Sequence, residues 1–266
     1  MSYDEEIEER LRRRELRAER AQRYLRKRSE LDEVMEEVFD RVTLMTIYDL
    51  MNDRLIEDFY GVISSGKESR IYYVRGCDGV ELAVKIYLVT SAEFKHNRMA
   101  YVVDDPRFKR VPTDFRKFIN LWAQREFKNL EEAYEAGVAV PRPRFVRKNV
   151  LGMDFLGRDG ARYPLLSELE AEQEEFAELY EKTLNVVAAL YQKAGLVHGD
   201  LSQFNIIIGD GLEVYLIDLA QAVKRGHPIA EPSLIHGLET LARFFAKKGV
   251  EVDDLDTMLA RVRGGV

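Results

Sequence analysis

The sequence predicts an α+β protein of two lobes, a small β-rich N-lobe and a reduced helical C-lobe, preceded by an N-terminal helical arm. Two observations predict it. The hydrophobic pattern is helical up to about residue 50, alternates from Gly61, and then runs strands, one helix, strands and mostly helices. The second is Leu196-Val197-His198-Gly199-Asp200-Leu201-Ser202-Gln203-Phe204-Asn205 followed by Val214-Tyr215-Leu216-Ile217-Asp218, which gathers polar oxygen-bearing side chains at the ends of apolar strands.

The arm spans residues 1–43, the N-lobe 44–157 and the C-lobe 158–266. Residues 4–50 read as helical: Leu31, Val34, Met35, Val38 and Phe39 fall at helical spacing. Earlier positions are richer in charge. From Arg10 to Arg28 there are ten basic residues against two acidic ones, within a chain of net charge −7. That run is either a solvated helix face or a surface that neutralises phosphates; Tyr24 alone gives no stacking platform.

Ile71–Val74 and Glu81–Tyr87, joined by Gly76-Cys77-Asp78-Gly79, predict a β-hairpin. A polar stretch from about Thr90 to Asp114 reads as a long, irregular loop. A helix is expected from Phe115 to Ala136, stopped by Gly137, then strands at Val138–Pro141 and Val150–Leu156. Glu168 to Ala194 reads as a helix ending at Gly195, Gly209-Asp210-Gly211 as a hairpin turn, and helices follow Pro232.

Composition excludes several classes. With 266 residues, 46% hydrophobic and 33% charged, the chain reads as globular and of one or two cores. One cysteine, Cys77, rules out a disulfide scaffold and suits a reducing cytoplasm. No apolar run approaches the roughly 18 residues of a membrane span, and the charged N-terminus is no secretory signal.

The turn at Gly209–Gly211 folds Asn205–Ile208 against Val214–Asp218, bringing Asn205 and Asp218 to one open end despite thirteen positions of separation. Oxygen donors of that kind suit Mg²⁺, which takes one or two protein ligands plus phosphates and water; turn or cap roles are the alternative. Asp200 is a candidate general base or orienting group for an acceptor hydroxyl or water, with a helix N-cap as the structural reading. His198 reads as a packed histidine rather than an acid–base group. Lys85, inside the apolar Ala83-Val84-Lys85-Ile86, requires an anionic partner. Phe118, Trp122, Glu126, Leu130 and Tyr134 recur every fourth residue, so Glu126 lies in an apolar stripe and is the candidate partner, an exposed i,i+4 role being the alternative. Gly61-Val62-Ile63-Ser64-Ser65-Gly66-Lys67 fits most of a Walker A loop, but Glu68 replaces the Ser or Thr and a strand pattern follows. A strand–loop–strand lid is the better reading, with Ser64, Ser65, Gly66 and Lys67 offering amides, hydroxyls and charge to phosphates.

Together these residues describe a bilobal protein-kinase-like fold, and the chain resembles the Rio family of atypical serine/threonine protein kinases, most closely archaeal members of its type-one branch. The resemblance covers about residues 44–262 and rests on Ser64–Ser69, Ala83–Tyr87, Leu121–Leu130, Leu196–Asn205 and Ile217-Asp218-Leu219-Ala220-Gln221. It implies ATP as cofactor with Mg²⁺, Mn²⁺ being a substitute; catalysis by Asp200 and Asp218; metal binding by Asn205 and Asp218; and adenine held at the linker after Met153 by backbone groups of Asp154 and Leu156. It further implies autophosphorylation on serine, ATP hydrolysis with Asp218 as a phospho-acceptor, and ribosome biogenesis, with a pre-small-subunit ribosomal particle as partner. The Thr90–Asp114 stretch resembles the family's flexible loop. Leu219-Ala220 stand where ordinary kinases carry Phe-Gly, and only 48 residues follow Asp218, so a peptide substrate in trans is not expected. Two other readings stay open: a small-molecule phosphotransferase of the aminoglycoside or choline type, and a nucleotide-binding module without catalysis.

Overall fold

The computed structural model describes residue 35 and residues 38–89, 95–96, 98–105, 107–108 and 110–265. The Arg10–Arg28 run, Leu31 and Val34 therefore lie outside the described residues. The chain divides into two compact units, residues 1–48 and 49–266. Helix α1 (Arg41–Asn52) spans the division. The expected single helix over 4–50 is interrupted just before it. Phe39 and Asp40 are not helical, and Asp40 Oδ1 accepts from the Val42 and Thr43 amides at 3.0 and 3.2 Å. An aspartate there caps a new helix better than it continues an old one.

The second unit opens with a five-stranded antiparallel sheet of order β1-β2-β3-β5-β4: β1 (Asp58–Ser65), β2 (Ser69–Arg75), β3 (Glu81–Tyr87), β4 (Pro143–Arg147) and β5 (Val150–Asp154). Strand β3 is central. Alternation puts Leu82, Val84 and Ile86 on one face and Ala83, Lys85 and Tyr87 on the other. Gly79 at φ +81° turns the β2–β3 hairpin, a conformation that favours glycine.

Helix α2 (Phe115–Glu135) packs against β4 and β5. Asp114 caps it, accepting from the Lys117 amide at 2.9 Å, and Gly137 at φ +74° ends it. Its buried face holds Phe118, Trp122 and Leu130 as the spacing predicts, but Tyr134 is exposed while Arg125 and Asn129 are buried. Two expectations fail beside it. Val138–Pro141 is not a ladder strand, and the chain bends at Ala139 and Val140: Val138 and Val140 are buried, yet the segment's link to a neighbouring strand is one bond, from the Leu216 amide to the Ala139 carbonyl at 3.0 Å. The strand begins two residues later, at Pro143. The described part of the 90–114 stretch is less irregular than its polarity suggests. It contains a 3₁₀ turn (Met99–Tyr101), and Val102 and Phe108 are buried with Phe118 and Trp122.

The second lobe is mostly helical. After a short hairpin of β6 (Gly157–Arg158) and β7 (Ala161–Arg162) comes α3 (Gln173–Gln192), shorter at its start than the expected Glu168 because the Glu172 amide donates to the Glu175 carboxylate and caps it there. Then β8 (Leu196–Val197) pairs with β11 (Val223–Lys224), β9 (Ile206–Ile208) pairs with β10 (Val214–Leu216), and α4 (Ala230–Lys247) and α5 (Leu255–Arg263) complete the lobe. Pro232 sits inside the first turn of α4 rather than ahead of it, where its missing N–H removes no intrahelical bond. Leu179, Leu184, Ile206, Leu216, Leu238 and Phe245 form the core of this lobe. No described helix is long and apolar enough to cross a membrane.

Candidate active site

A cleft of about 380 Å³ lies between the sheet and the β9–β10 hairpin, bordered by Lys85, Met153, Leu156, Phe204, Asn205 and Asp218 among others. Its floor is an ion triad. Lys85 Nζ lies 2.9 Å from Glu126 Oε1 and 2.9 Å from Asp218 Oδ1. Three elements supply it: β3 carries Lys85, α2 carries Glu126, and the turn after β10 carries Asp218. The Lys85 and Glu126 side chains are 5% and 1% exposed, whereas Asp218 keeps 46% and so presents a carboxylate edge to the cleft. Tyr87 OH also donates to Glu126 Oε2.

The electrostatics follow from that burial. Desolvation pulls the Lys85 ammonium down, but Asp218 and Glu126 together outweigh it and hold it above its ordinary value. Burial pushes Glu126 up, with Lys85 offsetting only part. Asp218 resists its own desolvation through the charge of Lys85 and stays below the usual carboxylate range. The site thus holds one firmly ionised carboxylate toward the cleft and one buried carboxylate that depends on its lysine.

Asp218 adopts left-handed backbone angles, φ 59° and ψ 60°, which aspartate tolerates better than most residues. Asn205 joins it through the backbone, its carbonyl accepting from the Ile217 amide at 3.0 Å. Asn205 Nδ2 donates to the Asp200 carbonyl at 2.7 Å, which leaves its side-chain oxygen as an acceptor. Asn205 and Asp218 are hard oxygen donors bordering one cleft, a set that fits Mg²⁺. Asp200 is exposed beside this pair. His198 is buried behind it, donating Nε2–H to the Ile217 carbonyl at 2.9 Å; burial holds it below its ordinary pKa, so it is a neutral packing residue. Gly199, at φ +80°, admits no side chain, because a Cβ there would lie 2.2 Å from the Gln221 carbonyl oxygen.

Not every expected site residue borders the cleft. Ser64, at the end of β1, does; Ser65, Gly66 and Lys67 do not. Ser65 ends β1, and Gly66 and Lys67 lie in the exposed turn that follows, where the Gly66 amide donates to the Ser69 carbonyl at 2.9 Å. At the linker, Met153, Asp154 and Leu156 all border the cleft. The Asp154 and Phe155 amides are engaged by the Arg142 and Glu81 carbonyls at 2.9 and 3.0 Å, and the Leu156 carbonyl accepts from Tyr163 at 3.1 Å.

Sequence reasoning missed the support behind the site. Arg125 donates to the Ala220 carbonyl and, at 2.5 Å, to that of Ala222. Asn129 donates to the Leu219 and Ala222 carbonyls at 2.7 and 3.0 Å. The signal was present: two polar residues four apart, on the flank of an apolar stripe.

A small twisted sheet over a helical lobe, with a lysine–glutamate pair and two acidic or amide oxygens across a cleft, defines the protein-kinase-like class. The RIO domain family matches residues 70–258. The chain is 42% identical over 220 residues to the RIO-type serine/threonine-protein kinase Rio1 of Haloferax volcanii, covering 83% of this chain and 74% of that protein. It is 35% identical to Rio1 of Methanocaldococcus jannaschii over 83% of this chain and 74% of that one, and 36% identical to RIO1 of Chaetomium thermophilum, of which it spans only 44%. In fold it is similar to a crystal structure of a Rio2 kinase–ADP/Mg²⁺–phosphoaspartate complex from C. thermophilum, with a TM-score of 0.59 at 21% identity over 83% of this chain and 65% of that one. The chain belongs to the Rio family of serine/threonine-protein kinases.

Proposed function

We propose that this chain uses ATP and Mg²⁺ to phosphorylate itself and to hydrolyse ATP, and that it acts in maturation of the small ribosomal subunit. The observation that carries the chemistry is Lys85 fixed between Glu126 and Asp218, 2.9 Å from each, at the floor of a nucleotide-sized cleft. Such a lysine pairs with nucleotide phosphates while its glutamate holds it in place. Asn205 and Asp218 would hold Mg²⁺, which neutralises phosphate charge when bound; Mn²⁺ would substitute. Met153, Asp154 and Leu156 would receive the adenine, with Ser64 nearest the phosphates and Ser65, Gly66 and Lys67 closing over them. Asp200 would accept the proton of an attacking hydroxyl or water.

The phosphoaspartate named for the Rio2 complex supports an aspartate acceptor, for which Asp218 fits. In that route an Asp218 oxygen attacks the γ-phosphorus, the bond to ADP breaks, and water later releases phosphate. Between Asp218 and α4 only eleven residues intervene, which include a 3₁₀ turn (Leu219–Gln221) and β11, so an ordinary activation segment has no room there.

Incubation with γ-labelled ATP and Mg²⁺ tests this reading. Wild type should acquire label and release phosphate, and Asp200→Ala and Asp218→Ala should each lose at least a hundredfold. Acid-stable label marks phosphoserine, and label lost in hydroxylamine marks an acyl phosphate. An unlabelled wild type that releases no phosphate would sink the proposal.

The ribosomal partner rests on the family resemblance and on the Arg10–Arg28 run, ten basic residues against two acidic. Charge-neutralising substitutions there should weaken binding to pre-small-subunit particles and flatten its salt dependence, by roughly 0.7–0.9 in log–log slope for each phosphate that the arm no longer neutralises. Autophosphorylation should stay intact. Unchanged particle binding removes the arm from the proposal.

A further inference from the structure

The contacts of Gln221 are not explained by the ion triad or by the metal-binding pair. Its side-chain Nε2 donates to Asp200 Oδ2 at 3.0 Å. We propose that Gln221 is a positioning residue that orients the Asp200 carboxylate toward the acceptor, an inference that rests on the kinase reading above.

Asp200 is exposed, and an exposed aspartate samples several rotamers. Two bonds restrict it. Asn205 Nδ2 fixes its backbone carbonyl at 2.7 Å, and Gln221 fixes one carboxylate oxygen, leaving the other for an incoming hydroxyl. An amide suits this task because it donates without carrying charge.

Gln221 is itself held from three sides. Arg125 grips the carbonyls of Ala220 and Ala222, which flank it, and Asn129 grips those of Leu219 and Ala222. Its own carbonyl packs on Gly199, where not even a Cβ would fit. The same helix, α2, carries Glu126 in the next position to Arg125. One rigid element thus fixes the Lys85 partner through Glu126 and, through the three carbonyls of residues 219, 220 and 222 and through Gln221, the orientation of Asp200. Ordinary kinases order their site through a separate activation segment; here the clamp of α2 on residues 219–222 serves in its place.

The test uses the full chain with Gln221→Met, which keeps length and removes the donor, and Gln221→Ala. Initial rates of self-labelling and phosphate release are measured over a range of ATP concentrations, with ADP affinity and melting temperature in parallel. Both variants should lose 10- to 100-fold in kcat, with KM for ATP and ADP affinity within twofold of wild type and melting within a few degrees. In an Asp200→Ala background, Gln221→Met should add no further loss, since a bond to an absent carboxylate has nothing left to orient. A wild-type kcat in both variants, or a loss that multiplies with that of Asp200→Ala, overturns the positioning role while the kinase reading stands. Equal activity of Asp200→Ala and wild type overturns the kinase reading and this proposal together.

Discussion

Lys85→Met is expected to abolish ATP-dependent labelling and to make the protein's stability fall steeply as pH rises. The variant leaves Glu126, 1% exposed, without its cation. Removing one partner of a buried ion pair costs about 3–5 kcal/mol, since the remaining charge is neither hydrated nor compensated. Glu126 has an alternative, because burial already raises its pKa and Lys85 is what restrains the rise. Without the lysine it takes up a proton. An acid whose folded pKa lies above its unfolded value of about 4.3 stabilises the fold in its neutral form, and that stability is lost as pH climbs through the folded pKa. The variant should therefore melt nearer to wild type at pH 6 than at pH 8, with a slope of up to about 1.4 kcal/mol per pH unit relative to wild type. Subtracting wild type removes the contribution of His198, whose buried neutral ring destabilises both proteins below about pH 6.5. Lys85→Met with Glu126→Gln should regain stability and lose the slope, yet stay unlabelled, because neither change restores a cation for the phosphates. Thermal melting across pH 6–8 decides it, and parallel curves for variant and wild type would contradict the ion-triad account.

What could be read from the sequence was whatever carried an energetic penalty. A lysine in Ala83-Val84-Lys85-Ile86 and a glutamate in the stripe of α2 demand partners, and the structure puts them 2.9 Å apart. Gly209–Gly211 set the hairpin that joins Asn205 to the strand of Asp218. The partners left unread were main-chain atoms: the spacing of Arg125 and Asn129 beside an apolar stripe marks them as candidates for burial, but nothing in it says that carbonyls of residues 219–222 await them. Val138–Pro141 misled for a related reason, since burial of alternate residues looks the same whether or not a ladder is formed. The Thr90–Asp114 stretch misled because apolar residues scattered through it, Val102 and Phe108 among them, find their core on a helix that follows them in the chain.

Arg125→Leu should cost about as much as losing Lys85, though for a different reason. Arg125 is fully buried, and desolvation lowers it to about 10 despite the opposing charge of Asp105. Its guanidinium has three partners: it donates to the carbonyls of Ala220 and Ala222 and forms an ion pair with Asp105 Oδ2 at 3.4 Å. Two of these survive the substitution. Asp105 keeps Arg107, which reaches it at 2.7 Å, and Ala222 keeps Asn129 at 3.0 Å. The Ala220 carbonyl loses its donor, at a cost of about 1–3 kcal/mol for an unsatisfied buried group, and the leucine leaves part of the arginine's volume unfilled. A loss of about 3–5 kcal/mol follows, or roughly 10 °C in melting temperature for a domain of this size. Arg125→Lys separates geometry from charge. A lysine retains the charge beside Asp105, but its single ammonium cannot span two carbonyls as a planar fork does. It should fall between wild type and the leucine variant in stability, and its kcat should drop more than its ATP affinity, because Gln221 is released while Lys85 and Glu126 stay paired. A lysine variant that matches wild type in both melting and kcat would mean that the two carbonyl bonds contribute nothing, and that residues 219–222 hold Asp200 without α2.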